Sequence, residues 1–259
     1  MTRLLALVAL ALFILLPFAQ AIALSFTATL PQQGIAEGTL GLMNYAAVLA
    51  SPELRASMVN SAIYVLLNVS LCISFGLPAA YAIARYRFVG DRHFLLFLLV
   101  FRLTPPVVLS LPIFILFARL NLVNSPIGIA LVHCLFNLPV AIWILESFIR
   151  AVPREFDETA FLDGHSLPSF LVRHLIPAIA PGIGVTAFFC FIFSWVEVVF
   201  ARILTVTAGK PITMAINAMF GFQTDIGKVM AMTCLSLLPG VLMIWFVRNH
   251  IARGFTLRA

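Results

Sequence analysis

The most polar stretch of this sequence, DETAFLDGHSLPSFLVRHLIP from Asp157 to Pro177, contains residue types that serve in several kinds of active site. Asp163, His165 and Ser166 are the three side chains that a serine hydrolase uses. A catalytic triad is assembled in space from distant parts of a chain, and close neighbours in sequence seldom form one. We therefore do not expect hydrolytic chemistry in this stretch.

The remaining reactive side chains do not predict a catalytic or metal site either. The histidines lack the spacing of metal ligands, and the cysteines all fall in apolar segments, where they are expected to be small buried hydrophobes without disulfides. The nucleotide-binding pattern G-x-x-x-x-G-K-[ST] is absent from the sequence, so no nucleotide site is expected in this chain. These residues are His93, His133, His165, His174, His250, Cys72, Cys134, Cys190 and Cys234.

Two charged residues, Arg102 and Glu197, lie within long apolar segments. A charge at such a depth usually faces the interior of a helix bundle or a water-filled cavity. Both are therefore candidates for lining a translocation path and hydrogen-bonding a solute. The alternative is structural, either a pair of the two or Arg102 bound to backbone carbonyls freed by Pro105 and Pro106. This double proline is expected to kink or break its helix.

The elements that position these residues are membrane helices. The 259 residues are 62% hydrophobic and 10% charged, with a mean hydropathy of +1.08, whereas soluble domains carry about 25% charged residues. A bilayer core requires about 20 apolar residues per helix. Six transmembrane helices are predicted on this basis, at about 4–26, 59–84, 94–118, 127–145, 182–204 and 229–247.

The first apolar run has two interpretations. Arg3 followed by an apolar core and the small residues AQAIA resembles a cleavable signal peptide. We favour an uncleaved transmembrane helix, because the run is longer than a usual signal core and five further spans follow it.

The distribution of Lys and Arg predicts the orientation in the membrane, because cytoplasmic loops carry more of these residues than outer loops. Placing both termini in the cytoplasm leaves Arg55, Arg119, Arg202, Lys210 and Lys228 outside. This asymmetry and anionic lipid headgroups explain the net charge of +6 without nucleic acid. The residues then placed inside are Arg3, Arg85, Arg87, Arg92, Arg150, Arg154, Arg173, Arg248, Arg253 and Arg258.

The predicted organisation is a single domain. Residues 1–58 hold the first helix and an outer loop, residues 59–247 form a core with five helices, and residues 248–259 form a cytoplasmic tail. Within the core, residues 146–181 form a cytoplasmic loop that contains the polar stretch.

This cytoplasmic loop is predicted to contain a short helix. Pro153 suits a first helical turn, acidic residues at Glu155, Asp157 and Glu158 favour the N-terminal end, and Gly164 suits the position after the last turn. Periodicity alone leaves two interpretations open. The helix lies on the membrane surface, or it docks on a partner protein.

A motif in this loop resembles a known family. Glu158-Thr159-Ala160 is followed after three residues by Gly164 and thirteen residues later by Pro177. This pattern resembles the EAA loop of permease subunits in binding-protein-dependent ABC importers, with Thr159 in place of the usual second-position alanine. VPREFDE and LDG match the carbohydrate branch. NYAAVL, AYAIARYRF, TPPVV and LPVAIWIL are similar to the second permease of the maltose importer, so the resemblance extends from about Asn44 to Thr256.

The resemblance implies an all-α membrane protein with the type I ABC importer permease fold, six transmembrane helices and cytoplasmic termini. It also implies that a separate cytoplasmic ATPase, which binds ATP and Mg, docks on the helix from Glu155 to Asp163, while this chain binds no cofactor. The implied docking residues are Glu155, Asp157, Glu158, Thr159, Ala160, Leu162, Asp163 and Gly164.

The implied assembly has a second permease subunit, two ATPase copies, an extracytoplasmic substrate-binding protein and the lipid of the cytoplasmic (inner) membrane. The binding protein is expected to meet the outer segments at residues 27–58 and 210–228, the latter around FGFQTD. The cargo is expected to be a sugar or a related polyhydroxylated solute. A secondary transporter of a small polar solute is the alternative, but its inverted repeats or midplane carboxylates do not appear in the sequence.

Overall fold

The computed structural model describes residues 2–29, 37–86, 91–221 and 224–256, and these ranges are almost entirely helical. Predictions that concern residues 30–36, Arg87, the side chain of Arg92, residues 222–223 and Arg258 lie outside this description. The helices are α1 (Thr2–Ser25), α2 (Met43–Ala50), α3 (Pro52–Arg85), α4 (Asp91–Leu103), α5 (Pro106–Arg119), α6 (Pro126–Arg150), α7 (Arg154–Leu162), α8 (Leu167–Phe170), α9 (Ile176–Ala178), α10 (Ala180–Trp195), α11 (Val199–Leu204), α12 (Ile212–Ala218) and α13 (Ile226–Thr256), with a π-helical turn at Leu171–Leu175 between α8 and α9.

Several of these helices have the length and composition of membrane spans. Within the described residues, Leu4–Ser25, Pro52–Arg85, Pro126–Arg150 and Ile226–Arg248 are long and apolar enough to cross a bilayer. Leu167–Ala178 and Ala180–Trp195 make a fifth span if this pair, bent by 87°, is taken together. The all-α membrane class is therefore confirmed, while six spans and cytoplasmic termini stay predictions.

The predicted third span, 94–118, is two helices in the structure. Helix α4 ends at Leu103 and α5 begins at Pro106, and Pro105 between them has an extended backbone with ψ 128°. Pro106 lacks the N–H that would continue α4, and the residue before a proline is held away from helical geometry. Pro106 therefore starts a new helix instead of continuing the first.

The predicted fifth span, 182–204, also differs from the structure. Helix α10 begins at Ala180 and ends at Trp195, and the short α11 begins at Val199. Glu197 lies in the break between them. The interruption brings its carboxylate next to the free N–H groups that start α11, which the periodicity of the sequence did not reveal.

Most of the predicted cytoplasmic loop, 146–181, is helical in the structure. Helix α6 continues to Arg150, and α7 begins at Arg154 with Pro153 just before its first turn. The chain after α7 forms α8, the π-helical turn and α9 before it bends into α10.

The described chain divides into two units. The first comprises Met1–Val59 and Pro211–Val241. In it, the buried Asn44 side chain donates to the carbonyl oxygens of Ser25 at 3.0 Å and Thr27 at 2.8 Å, and Thr29 Oγ1 donates to Asp225 Oδ1 at 2.9 Å. These bonds fix the segments that follow α1 and precede α13.

The second unit comprises Asn60–Lys210 and Leu242–Ala259. Helix α6 is its most buried span, with 61% of its most apolar window enclosed, whereas α1 of the first unit has none of its window enclosed. The core of this unit around Leu145, Ile149, Phe170 and Leu175 joins α3 and α6 to the segments after α7. The segment predicted as a cytoplasmic loop thus contributes to the hydrophobic core of this unit.

Candidate functional site

The inner side of α7 is held by a buried ion pair. Asp157 Oδ2 accepts hydrogen bonds from Arg85 Nε at 2.7 Å and from the Tyr81 hydroxyl at 3.0 Å, and Asp157 Oδ1 accepts one from Arg85 Nη2 at 3.0 Å. Arg85 Nη2 also donates to the Val152 carbonyl at 3.0 Å. The side chains of Arg85 and Asp157 are only 7% and 8% exposed. We call these four residues, Tyr81, Arg85, Val152 and Asp157, the α7 anchor.

Local sequence places the anchor residues where they can meet. Tyr81 and Arg85 are four residues apart at the end of α3, so both side chains lie on one face of that helix. Asp157 is in the first turn of α7. The planar guanidinium of Arg85 can make two parallel hydrogen bonds to a carboxylate. The Tyr81 hydroxyl donates a further hydrogen bond to Asp157, and the Val152 carbonyl accepts one from Arg85, so that more of the polar atoms of the buried pair have partners.

Apolar contacts hold the same side of α7. Ala160 is buried at 7% exposure, and Phe170, at 0% exposure, lies beneath the helix. The Phe170 ring centroid is 5.8 Å from Tyr81, 6.1 Å from Phe156 and 5.2 Å from Phe161. This aromatic group stabilises α7 against the second unit's core.

The opposite side of α7 is exposed. Leu162, at the end of the helix, is 88% exposed. Gly164 follows with φ +86°, a left-handed conformation that glycine adopts without strain, and the His165 N–H closes the helix end on the Ala160 carbonyl at 3.1 Å. The other exposed residues of the predicted docking set are Glu155, Glu158, Thr159 and Asp163.

Two members of the predicted docking set are placed differently. Asp157 and Ala160 are buried against their own chain, because Asp157 pairs with Arg85 and Ala160 packs into the core. They hold α7 in position and do not belong to its exposed surface.

The two charged residues of the apolar segments line one small cavity. Its volume is about 40 Å³, and Arg102, His133, Asn137, Phe193 and Glu197 lie around it. This is space for a water molecule or a small polar group rather than for a whole sugar. The structure therefore places Arg102 and Glu197 in the wall of one cavity, although they are far apart in sequence.

Glu197 is engaged by neighbouring donors. Its carboxylate accepts hydrogen bonds from the backbone N–H groups of Phe200 at 2.9 Å and Ala201 at 3.1 Å. His133 Nε2 lies 3.3 Å from Glu197 Oε2, and His133 Nδ1 lies 2.6 Å from Ser194 Oγ. The carboxylate thus caps the start of α11, where unpaired N–H groups and the helix dipole favour negative charge.

Arg102 has a different environment. Its guanidinium carbon lies 4.7 Å from the centroid of the Phe193 ring, which is within the range of a cation–π contact. The ion pairs found in the described part of the chain join other residues. A structural pair of Arg102 with Glu197, one of the alternatives that the sequence left open, is not among them. The Phe193 ring lies against the guanidinium, and both residues line the cavity.

Sequence reasoning missed several of these residues. The spacing of Tyr81 and Arg85, one helical turn apart at the end of a span, could have indicated a polar contact with the loop. His133 offered no such signal, because a single histidine in an apolar helix has no pattern that identifies its partner. Phe170 was likewise one of many aromatic residues in the chain.

Comparison with known proteins identifies the family. The family model of the binding-protein-dependent transport system inner membrane component matches residues 72–254, which include both α7 and the cavity. The chain belongs to this family. The permease resemblance carried by the EAA-like loop is thereby confirmed.

Individual relatives extend the match over nearly the whole permease. This chain is 30% identical over 253 residues to the trehalose/maltose transport system permease protein MalG of Thermococcus litoralis, and the match covers 95% of this chain and 91% of that protein. The fold is similar to a chain of a bacterial ABC transporter involved in the import of the acidic polysaccharide alginate, with a TM-score of 0.78, 19% identity and coverage of 96% and 95%. A structure of a bacterial alginate ABC transporter in complex with an alginate pentasaccharide-bound periplasmic protein matches with a TM-score of 0.70, 14% identity and coverage of 98% and 94%.

Proposed function

We propose that this permease is the membrane-spanning subunit of an ATP-driven importer in the cytoplasmic membrane, and that it moves a sugar or a related polyhydroxylated solute. An extracytoplasmic binding protein delivers the solute, and a separate ATPase binds α7 from the cytoplasm. The carbohydrate class is supported by the MalG relative, which is a trehalose/maltose permease. Delivery by a binding protein is supported by the family description and by the alginate transporter complex.

The exposed end of α7 is the observation that carries this proposal. Leu162 projects an apolar side chain at 88% exposure, and Phe156 and Phe161 are each 39% exposed. Acidic residues at Glu155 and Glu158 flank them. An exposed apolar tip rimmed by charge is typical of a surface that a partner covers. We assign the docking surface to Glu155, Glu158, Thr159, Leu162, Asp163 and Gly164.

A rigid support makes this surface suitable for coupling. The buried side of α7 is fixed by the α7 anchor and by Phe170. Movement of a bound ATPase can therefore displace the second unit instead of unfolding a loop. The two ATPases and the second permease subunit of the proposed assembly follow from the family resemblance.

The cavity is proposed as a point on the translocation path. Arg102 and Asn137 supply hydrogen-bond donors, and Glu197 supplies acceptors, in a volume of about 40 Å³. These groups suit solute hydroxyls. The small volume, which leaves no room for a whole sugar, is proposed to belong to a closed state of the path.

The docking proposal is tested with Leu162→Asp, Glu158→Lys and Gly164→Asp, each assayed in the complete transporter in proteoliposomes. Leu162→Asp should lose ATPase from the purified complex because it places a charge in an apolar contact. The other two should leave the protein in the membrane and lower solute uptake driven by ATP. Arg154→Gln, an exposed change on the same helix, is the matched control and should behave as the parent. Normal ATPase yield and uptake in all three variants, or full uptake without ATP, would contradict the proposal.

A further inference from the structure

We infer that the α7 anchor is the positioning device that carries movement of α7 into α3, and through α3 to the cavity. This inference rests on the proposed function, because it assumes that an ATPase moves α7. It assigns Arg85, Tyr81 and Asp157 a role in coupling that is distinct from docking, since their polar atoms face inward and cannot meet a partner.

The geometry of the α7 anchor fixes both the distance of α7 from α3 and its orientation relative to α3. Arg85 makes two hydrogen bonds to the two oxygens of Asp157, and paired N–H···O bonds of this kind resist rotation as well as separation. A third bond from Arg85 reaches the carbonyl of Val152, two residues before the first residue of α7. Apolar contacts alone would hold α7 close but would allow it to slide.

The energetics of buried ion pairs indicate that the Arg85–Asp157 pair contributes more to the position of α7 than to the stability of the fold. Removing two charges from water is costly, and well-packed hydrophobic residues often replace a buried ion pair without loss of stability. A buried pair with four directional hydrogen bonds is therefore a poor means of stabilising the fold alone. What it adds is a single permitted arrangement of α7 on α3.

Helix α3 connects the anchor to the cavity. Arg85 is its last residue, and Asn68 lies 17 positions earlier on the same helix, or about 25 Å at the helical rise. The buried Asn68 donates to the Cys190 carbonyl of α10 at 3.1 Å and accepts a hydrogen bond from Asn137 at 3.3 Å. Asn137 lines the cavity. Pro78 lies between these two positions. One continuous helix thus contacts α7 at its end and a cavity residue at its middle.

The test measures solute transported per ATP hydrolysed by the complete transporter in proteoliposomes. Asp157→Asn keeps the size of the side chain and one acceptor oxygen, and Arg85→Lys keeps the charge but loses the paired geometry. Both should retain bound ATPase and ATP hydrolysis. Each should lower the transport-to-hydrolysis ratio by about five-fold or more, the scale of energetic coupling between sites.

A hydrophobic double variant separates positioning from folding. Arg85→Met with Asp157→Leu removes the charges together, so that neither is left buried alone, and it should keep the thermal unfolding temperature close to that of the parent. If the anchor acts by geometry, this folded variant should still bind ATPase and hydrolyse ATP while transporting poorly. A purely structural role would instead lower the unfolding temperature or the yield and leave the ratio unchanged in the assembled fraction.

The outcomes distinguish this inference from the docking proposal. A parental transport-to-hydrolysis ratio in Asp157→Asn or in the double variant would overturn the inference, and so would loss of bound ATPase, because the pair would then act on docking. Normal ATPase yield and uptake in Leu162→Asp, Glu158→Lys and Gly164→Asp would overturn the docking proposal instead. Arg154→Gln serves as the control for changing a charge on α7 outside the anchor.

Discussion

Two buried or half-buried carboxylates of the second unit, Asp157 and Glu197, are satisfied in different ways. Asp157 binds a full cation from another helix, with a tyrosine hydroxyl as a further donor. Glu197 binds two backbone N–H groups at the start of the helix that follows it, with His133 nearby. The first carboxylate joins two helices, whereas the second mainly stabilises a break within one segment.

This difference shows that the role of a charged residue depends on the partners it contacts, which residue type and sequence position do not reveal. Both residues were candidates for function when only the sequence was considered. The contacts assign Asp157 to support of α7 and Glu197 to the end of α10 and the start of α11. Arg102 differs from both, because an aromatic ring, that of Phe193, lies beside its guanidinium.

The largest expected effect is that of Arg85→Ala, because it leaves the Asp157 carboxylate buried and unpaired. We expect the free energy of unfolding to fall by about 3 to 5 kcal/mol, as for other broken buried pairs. Denaturant unfolding of the purified protein in detergent measures this. Arg154→Ala, at an exposed position of α7, should change the value by less than about 0.5 kcal/mol. Equal effects of the two substitutions would show that the Arg85–Asp157 pair contributes no more to the free energy of unfolding than an exposed charge on α7.

Glu197→Ala should have a smaller effect than Arg85→Ala, because water in the cavity can bind the N–H groups that lose their acceptor. The expected loss is about 1 to 2 kcal/mol, that of a helix cap, and Glu197→Gln should cost less since it keeps one oxygen. Hydrogen exchange at Phe200 and Ala201 should speed up in Glu197→Ala. An unchanged rate of hydrogen exchange at both amides would contradict a capping role for Glu197.

Gly164→Ala tests the end of α7 rather than its buried side. The residue has φ +86° with open space around its Cα, so the cost is that of the left-handed backbone alone, about 1 to 2 kcal/mol. Thermal unfolding measures it, and Gly221→Ala is the control because that glycine also has open space but lies outside the left-handed region. A stability loss no greater than that of the control would be inconsistent with this account of the turn.

The smallest expected effect concerns the contact of Arg102 with Phe193. A double-mutant cycle with Arg102→Gln and Phe193→Leu should give a coupling energy of about 0.5 to 1 kcal/mol, typical of a cation–π contact. Denaturant unfolding of the four proteins provides the values. Additive effects of the two substitutions would show that the ring does not stabilise the cation.

Particular residues show how far prediction from sequence reached. The EAA-like loop was predicted to contain a helix ended by Gly164, and α7 with the left-handed Gly164 agrees with this prediction. Asp157 and Glu158 were adjacent acidic residues that the sequence could not tell apart. One is buried and the other exposed, because the helix turns about 100° per residue and only contacts with α3 decide which face is covered.

The membrane spans were also predictable only in part. Apolar length alone predicted α1, α3, α6 and α13, since a bilayer imposes a minimum length on each helix. The separation of α4 from α5 followed from two adjacent prolines. The break at Glu197 did not, because no proline or glycine marks it.

The sequence by itself determined that this chain is a helical membrane protein of the binding-protein-dependent transport family, because hydrophobic length and motif spacing are local properties of the chain. The tertiary structure decided which polar side chains meet. Arg85 and Asp157 are 72 residues apart and Arg102 and Glu197 are farther apart still, so their surroundings depend on how separate helices pack. That packing is what distinguishes a support for α7 from a cavity wall.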